Sequence, residues 1–502
     1  MPVTSIQVPE ARPFNGLLLA SQLPAGLRDV FLTLYPKFSE GKTMQQDLGS
    51  FRDPSGCVYY DSGDVLRTIM PCYKDTWQSV VESGLIADAL EKESIVPFEE
   101  HNALPGSWKT LKVERIPFIS YPYEWSFSQL KDAALLTLEL QRNALEKSMV
   151  LKDASAYNIQ FIGSRPVFID LLSFEPWKKG DTWQAYRQYC SHFLAPLVLA
   201  SNLDLRLAQL SRQWIDGIPL DIACSMLPLK AKLSLGVLMH LVLHSALQNK
   251  YADPREFKDK KDQKNMTTEK LLDIVDSLEK TSRKQHSPSK ETEWGDYYND
   301  TNYTDAGTEA KLAIIEAQAS RYSGELAVDL GANSGRFSLP LAKHFKTVVS
   351  ADIDPVAVDR HYRQLREHGP DNILPIVLDL SSPSPALGWA SEERKSFVER
   401  CDADMVIALA LFHHLFFTVG VPFAQIGMFL ASIIRPGGVL VCEYVPKEDG
   451  QVQRMLSARD DISDGYTRQE FSSSFQVAGF EELEVAELPD SIRTLHVFRR
   501  TK

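Results

Sequence analysis

The chain has 502 residues, 44% of them hydrophobic and 24% charged, and a formal net charge of −12. That length exceeds one typical core, so two or three domains are expected. The acidic balance speaks against a general nucleic-acid or anionic-membrane binder, while leaving room for a local basic patch.

The opening MPVTSIQVPEARPFNGLLLA has no basic n-region and only a short apolar run. No stretch of about 18 uninterrupted apolar residues follows it. A cytoplasmic protein with no membrane partner is therefore expected. Cys57, Cys72, Cys190, Cys224, Cys401 and Cys442 are scattered, with no CxxC pair. That fits reduced, mostly buried thiols better than a disulfide framework or a zinc site, and no metal site is expected.

In chain order, residues 1–50 read as a Pro/Gly-punctuated arm, and residues 51–253 as an α+β domain. SFSQLKDAALLTLELQRNALEKSM has the pattern of a long helix, while GCVYYDSGDVLRTIMP (56–71) would be a hairpin and QSVVESGLIADALEK a helix under the resemblance that the next stretch carries. VLKDASAYNIQFIGSRPVFIDLLSF (150–174) then sets Asp153 and Asn158 five apart, with Asp170 twelve further on after an apolar run. The last part of this half is largely helical. Its most apolar segment, LSLGVLMHLVLHSAL (233–247), is interrupted by two histidines and reads as a buried helix. His192, His240 and His244 lie on apolar helices without a carboxylate at ligand spacing, which favours core histidines over metal ligands.

The spacing of Asp153, Asn158 and Asp170 resembles the catalytic loop and metal-binding strand of the protein-kinase-like fold. In that fold the first Asp accepts the substrate proton, and the Asn and second Asp hold magnesium. Here Leu151-Lys152-Asp153 stands for His-Arg-Asp, and Asp170-Leu171-Leu172 for Asp-Phe-Gly. No Gly-rich loop or V-A-I-K lysine is present; Arg67 is a weak stand-in. A degenerate lobe that presents the acceptor fits these departures better than active phosphoryl transfer. ATP–Mg would be a cofactor only if the lobe were active.

Residues 254–293 are strongly charged apart from a helical patch near Leu271–Leu278, and read as a solvated linker. Residues 294–502 alternate apolar runs with helical patterns and end in two runs with no helix between them. This implies an α/β domain with a parallel sheet, helices on both faces and an antiparallel hairpin at the edge.

The stretch LAVDLGANSGRFS (326–338) ends a strand in Asp329 and turns through Gly331 and Gly335 into a helix. Asp352 ends the second strand about 20 residues on, where an acid can hold ribose hydroxyls. Asp379 ends the third. The spacing D-L-G-x-N-x-G is neither the dinucleotide G-x-G-x-x-G nor a phosphate-cradling loop, so the pattern points to a nucleoside ligand.

DLGANSGRFS, ADIDPVAVD, ILPIVLDL, ADMVIALALFHHL and IRPGGVLVCEYVPKEDGQVQRML resemble, in order, the motifs of class I S-adenosylmethionine-dependent methyltransferases. The closer resemblance is to a bacterial branch labelled as nodulation-protein-type methyltransferases, and it covers nearly the whole chain. It implies a Rossmann-like, seven-stranded domain with S-adenosylmethionine as cofactor. By position, Asp329, Gly331, Asn333 and Gly335 would line its methionine part, Asp352 would hold the ribose, and Asp379 and Leu380 would flank the adenine. His413 and His414 follow the fourth strand and are the candidate bases; packing and capping roles are the alternative. Asp404, at the start of that strand, reads as structural. Trp294, Tyr297, Tyr303 and Lys311, just before the domain, are candidates for a segment closing over the cofactor, and Glu443 for a contact with substrate.

The reading is a methyltransferase acting on a small molecule or saccharide rather than nucleic acid. One rival is a bifunctional kinase–methyltransferase; another is a regulatory protein that senses the cofactor without turnover. The sequence gives no oligomeric state.

Overall fold

Short apolar runs rich in Val, Ile, Leu and Ala bury both faces when they pair side by side. The computed structural model describes residues 44–246, 266–288, 305–457 and 465–501. The expectations for most of the N-terminal arm, for residues 254–265 and for Trp294, Tyr297 and Tyr303 fall outside these. The chain divides into two compact units: Met1–Lys74 with Phe98–Arg115, and Asp75–Pro97 with Ile116–Lys502. This differs from the division expected at residues 254–293, because the helical part of the N-terminal half belongs to the same unit as the C-terminal sheet.

The first unit is an antiparallel sheet of β1 (Met44–Gln46), β2 (Val58–Asp61), β3 (Asp64–Ile69), β4 (Phe98–His101) and β5 (Lys109–Val113). Its strand order is β1-β2-β3-β5-β4. The expected hairpin at 56–71 is β2 and β3, paired from Val58↔Arg67 to Asp61↔Asp64.

In the second unit, α1 (Lys74–Glu82) and α2 (Leu85–Glu91) precede the long helix α3 (Phe127–Glu146). Ser126 caps α3 by accepting from Gln129 N, and Gln129 reciprocates. Next come β6 (Met149–Leu151), β7 (Ile159–Ile162), β8 (Arg165–Phe168) and β9 (Phe174–Pro176). They pair antiparallel as β6 with β9 and β7 with β8. The short helices α4 (Leu220–Met226), α5 (Leu229–Lys232) and α6 (Leu235–Val237) follow, and α6 runs on into a π-helical turn at Leu238–Leu243.

Two expectations need correction here. The helical patch expected near Leu271–Leu278 is the helix α7 (Thr268–Arg283), but its apolar face is buried rather than solvated. Leu271, Val275 and Leu278 recur along one face and are buried, and the helix packs on α3, so a stripe of three apolar residues overrides the charged composition. The segment expected to be a buried helix is helical over residues 235–246 but not buried throughout: Leu233, Leu235, Met239 and Leu243 are exposed.

The C-terminal sheet has seven strands: β10 (Gly324–Leu330), β11 (Phe345–Asp352), β12 (Ile373–Val377), β13 (Ala403–Ala408), β14 (Ile434–Tyr444), β15 (Phe480–Glu487) and β16 (Thr494–Arg500). Their order is β12-β11-β10-β13-β14-β16-β15. β10 to β14 pair in parallel, and β16 enters antiparallel between β14 and β15. This is the sheet, with its terminal antiparallel hairpin, that the resemblance implies. Around it lie α8 (Asp305–Arg321), α9 (Ser338–Ala342), α10 (Pro355–His368), α11 (Phe423–Ile433), α12 (Gly450–Leu456) and α13 (Arg468–Val477). Asp404 accepts from the backbone of Glu325 (2.7 Å) and Leu326 (2.8 Å) at the amino ends of β10 and β13, the structural role its position suggests.

Within this unit the edge strand β12 is covered. Gln129 Nε2 donates to Pro375 O on that strand at 3.0 Å, and Tyr362 of α10 donates to Asp132 of α3 at 2.7 Å. Arg400 pairs with Glu124, both side chains buried, and Ser384 adds a 2.6 Å bond to the same carboxylate. No helix among the described residues is long and apolar enough to cross a membrane.

Candidate cofactor and acceptor site

β10 is flanked by β11 and β13: the chain runs outward from β10 through β11 to β12, then crosses back to β13, so the strand order reverses between β10 and β13. Open α/β sheets bind ligands beyond the strand carboxyl ends at this point. The loops leaving β10 and β13 face each other there: a Cβ on Gly331 would come within 3.4 Å of Leu411.

The turn after β10 is built from local rules. Gly331 (φ +76°), Asn333 (φ +51°) and Gly335 (φ +77°) take left-handed backbone, which Gly adopts freely and Asn tolerates. Gly331 N and Ala332 N donate to Ala351 O at 2.9 and 3.0 Å. Asn333 N donates to Asp352 Oδ2 at 2.7 Å, and Asp354 N to Asp352 Oδ1 at 2.8 Å. Each oxygen of Asp352 therefore keeps acceptor capacity for a ligand. Burial pushes Asp352 up to about 6, and its backbone bonds oppose that rise.

Asp329 is buried behind the turn and accepts from Ser338 Oγ at 2.7 Å. Burial, assisted by the charge of Asp352, pushes it up to about 7. Ser338 continues through Ser350 (3.1 Å) to His361 Nδ1 (3.1 Å). His361, which sequence reasoning did not single out, is kept neutral by burial, its pKa lowered to about 4. Its ring fills the space where Gly335 lacks a side chain: a Cβ there would fall 1.9 Å from the ring. Gly335→Ala should cost about 2–5 kcal/mol, from left-handed strain plus overpacking against a buried ring. A lowered unfolding midpoint checks this, and an unchanged midpoint would refute the tight packing.

Asp379 and Leu380 follow β12 and are half-buried. Asp379 Oδ1 accepts from Ser381 N (2.8 Å) and Ser381 Oγ (2.6 Å), so the loop is pinned by its own acid.

The other side of the crevice holds a buried ionic cluster. Lys311 of α8 donates to Glu443 Oε2 at 2.7 Å, and Ala410 N donates to the same oxygen at 2.9 Å. Ala410 has φ +47°, so the pair holds a left-handed turn in the loop after β13. Arg493 lies 3.9 Å from Glu443, donates to both oxygens of Asp449 at 2.7 and 2.9 Å, and reaches Gln451 Oε1 at 3.2 Å. Burial lowers Lys311 to about 8 against the pull of Glu443. The structure thus joins Lys311 and Glu443, two residues that the sequence suggested for separate roles. Arg493 was missed; its one sequence signal is a lone arginine leading into the apolar strand TLHVF.

His413 and His414 occupy the turn after that loop, their ring centroids 4.2 Å apart. His413 is 1% exposed and His414 is half-buried. Burial keeps both neutral, lowering His414 to about 4 and His413 well below its ordinary value. Lys311 and Arg493 both act on His413, so the pair borders the ionic cluster.

Asp153, Asn158 and Asp170 also meet. Ser173 Oγ bonds to Asp170 and lies 3.4 Å from Asn158 Nδ2, and Asn158 and Asp170 both act on Asp153. Burial, then the charge of Asp170, raises the pKa of Asp153. Among the described residues no set of three His, Cys, Asp or Glu groups is arranged to hold a metal ion.

No family model matches the chain. Among solved structures it is similar to the N-methyltransferase NodS from Bradyrhizobium japonicum WM9 in complex with S-adenosyl-L-homocysteine. That match has 15% identity and a TM-score of 0.30, and covers 41% of this chain and 93% of that one. It is also similar to magnesium protoporphyrin IX methyltransferase (ChlM) from Synechocystis PCC 6803 with bound SAM. There the identity is 17% and the TM-score 0.30, over 41% of this chain and 89% of that one. Such scores carry no weight for the site, which stands on its own geometry. The chain is 33% identical over 472 residues to nodulation protein NoeA of Rhizobium meliloti (strain 1021), covering 90% of this chain and 96% of that one. A likeness of that depth across nearly the full length of both chains places it: the chain belongs to the family of the nodulation protein NoeA.

Proposed function

We propose that the protein transfers a methyl group from S-adenosylmethionine to a hydroxyl of a small molecule or saccharide. The observation that carries this reading is Asp352. It stands at the carboxyl end of β11 against the Gly331–Gly335 turn, at the switch point, with acceptor capacity left on both oxygens. That donor and acceptor set fits the cofactor. Asp352 takes the ribose hydroxyls, Asp379 and Leu380 flank the adenine, and Asp329, Gly331, Asn333 and Gly335 line the methionine end.

When bound, the cofactor supplies a methyl group already activated on a sulfonium. The chain has to orient the acceptor and take up its proton. His414, neutral and half-buried, is the candidate base, with His413 behind it. The Lys311–Glu443 pair holds the Ala410 turn beside them. A saccharide or other small acceptor suits the acidic chain better than a nucleic acid. A cytoplasmic setting agrees with the six cysteines, all of them free.

In the N-terminal half, the order β1-β2-β3-β5-β4 and the insertion of α1 and α2 between β3 and β4 in the chain support a kinase-like fold. So does the placing of Asp153, Asn158 and Asp170 around the β7–β8 hairpin. Its proposed role is to recognise the acceptor.

Calorimetric titration with S-adenosylhomocysteine across pH tests the cofactor reading. Ribose hydroxyls need the ionised Asp352, so affinity should fall as pH drops through about 6. The free protein should move the opposite way. Asp329 and Asp352 have folded pKa values above their unfolded ones, so their contribution to stability is full below about 4 and is lost as pH rises through about 6 to 7. No binding by folded protein at any pH would refute the proposal.

A further inference from the structure

We propose that the segment from Met226 to Leu243 docks the protein on an anionic membrane surface. The inference is independent of the methyl-transfer reading. Of the eighteen large apolar side chains exposed among the described residues, six fall in this segment: Met226, Leu229, Leu233, Leu235, Met239 and Leu243. They follow helical spacing. Leu229 and Leu233 are four apart, joined by the bond from Leu233 N to Leu229 O at 3.1 Å. Leu235, Met239 and Leu243 continue at intervals of four along the next helical stretch. Folded proteins rarely leave so many large apolar side chains of one short segment in water without a use for them.

The patch is held rigidly from behind. Ala231, Val237, His240 and Leu241 are buried on the opposite face. His240 is bonded on both ring nitrogens, to Tyr186 and to Ser277, each at 2.8 Å. Leu229, Leu233 and Leu235 are 71%, 67% and 72% exposed, so most of each side chain is open to solvent. An exposed apolar face of this kind suits the acyl–headgroup boundary of a bilayer.

Charge selects the kind of surface. The chain carries 66 acidic and 54 basic residues, yet none of residues 222–246 is Asp or Glu, and Lys230 and Lys232 stand within the segment. A twofold pairing of two copies through this face would bring four lysines together with only Asp221 of each copy, just outside the segment, to offset them, which disfavours a dimer. At a bilayer the lysine stems can lie along the apolar edge with their ammonium groups at anionic headgroups. The whole-chain acidity that argued against a membrane partner does not describe this face.

Flotation of the full-length protein with phosphatidylcholine vesicles, with and without phosphatidylglycerol, tests the proposal. Partitioning should strengthen about tenfold when the anionic lipid is present. The triple variant Leu229→Ser, Leu233→Ser, Leu235→Ser should lose association with both vesicle types. Lys230→Gln with Lys232→Gln should lose only the preference for anionic lipid. The replaced side chains are largely on the surface, so both variants should keep the circular dichroism of the parent. Three results would overturn the proposal: folded protein that floats with neither vesicle, binding that survives the leucine replacements, or a dimer that those replacements dissolve.

Discussion

Replacing Asp352 by alanine should weaken S-adenosylhomocysteine binding by more than about 100-fold, since two hydrogen bonds to a charged acceptor are worth about 1.5–3 kcal/mol each. The carboxylate also receives Asn333 N and Asp354 N, so the variant deprives two backbone donors of their partner as well. Loss of binding has to be separated from loss of the turn. Asp352→Asn keeps one carbonyl acceptor and the size of the side chain, and should fall between the parent and alanine. Unfolding without ligand supplies the control: a folded Asp352→Ala protein with unchanged affinity would remove the assigned ribose contact. A folded protein with lost affinity would support it.

Arg493→Met should destabilise the protein by about 3–5 kcal/mol, the usual cost of leaving the partner of a buried ion pair unpaired. Arg493 is 1% exposed and holds Asp449 by two bonds. Asp449 also caps α12 by accepting from Gln451 N at 2.9 Å. Burial would raise the Asp449 pKa, yet the bonds from Arg493 leave it below its usual value. That contribution is present above the ordinary carboxylate pKa and is lost as pH falls through the depressed one. The single change strips a carboxylate that is also a helix cap, with Glu443 3.9 Å away. Adding Asp449→Asn to the variant should recover part of the loss, because the buried negative charge is gone while an N-cap acceptor remains. Chemical denaturation gives both numbers, and a midpoint unmoved by Arg493→Met would show the cluster to be energetically idle.

The C-terminal sheet and the glycine-turn side of the crevice were legible in the chain alone. Those features obey local rules. Apolar runs alternate with helical patterns, a glycine-bearing turn follows the first strand, and acids end the next two strands. Each can be read within a few dozen residues because strand ends and turns are set by backbone sterics and short-range bonds. Asp329, Gly331, Asn333, Gly335 and Asp352 therefore meet in space as their spacing suggests, and Asp404 sits at the structural end of its strand.

The rest depends on pairs far apart in the chain, which meet only on folding. Lys311 meets Glu443 across 132 residues, and Arg493 meets Asp449 across 44. His361 occupies the gap left by Gly335. The helical patch that became α7 gave no sign of its partner until its stripe of three apolar residues found α3. Leu233 and Leu235 looked like core until their neighbours left them outside. Periodicity says that a face is apolar; which surface covers it, or whether any does, is settled by what the remainder of the chain packs against it.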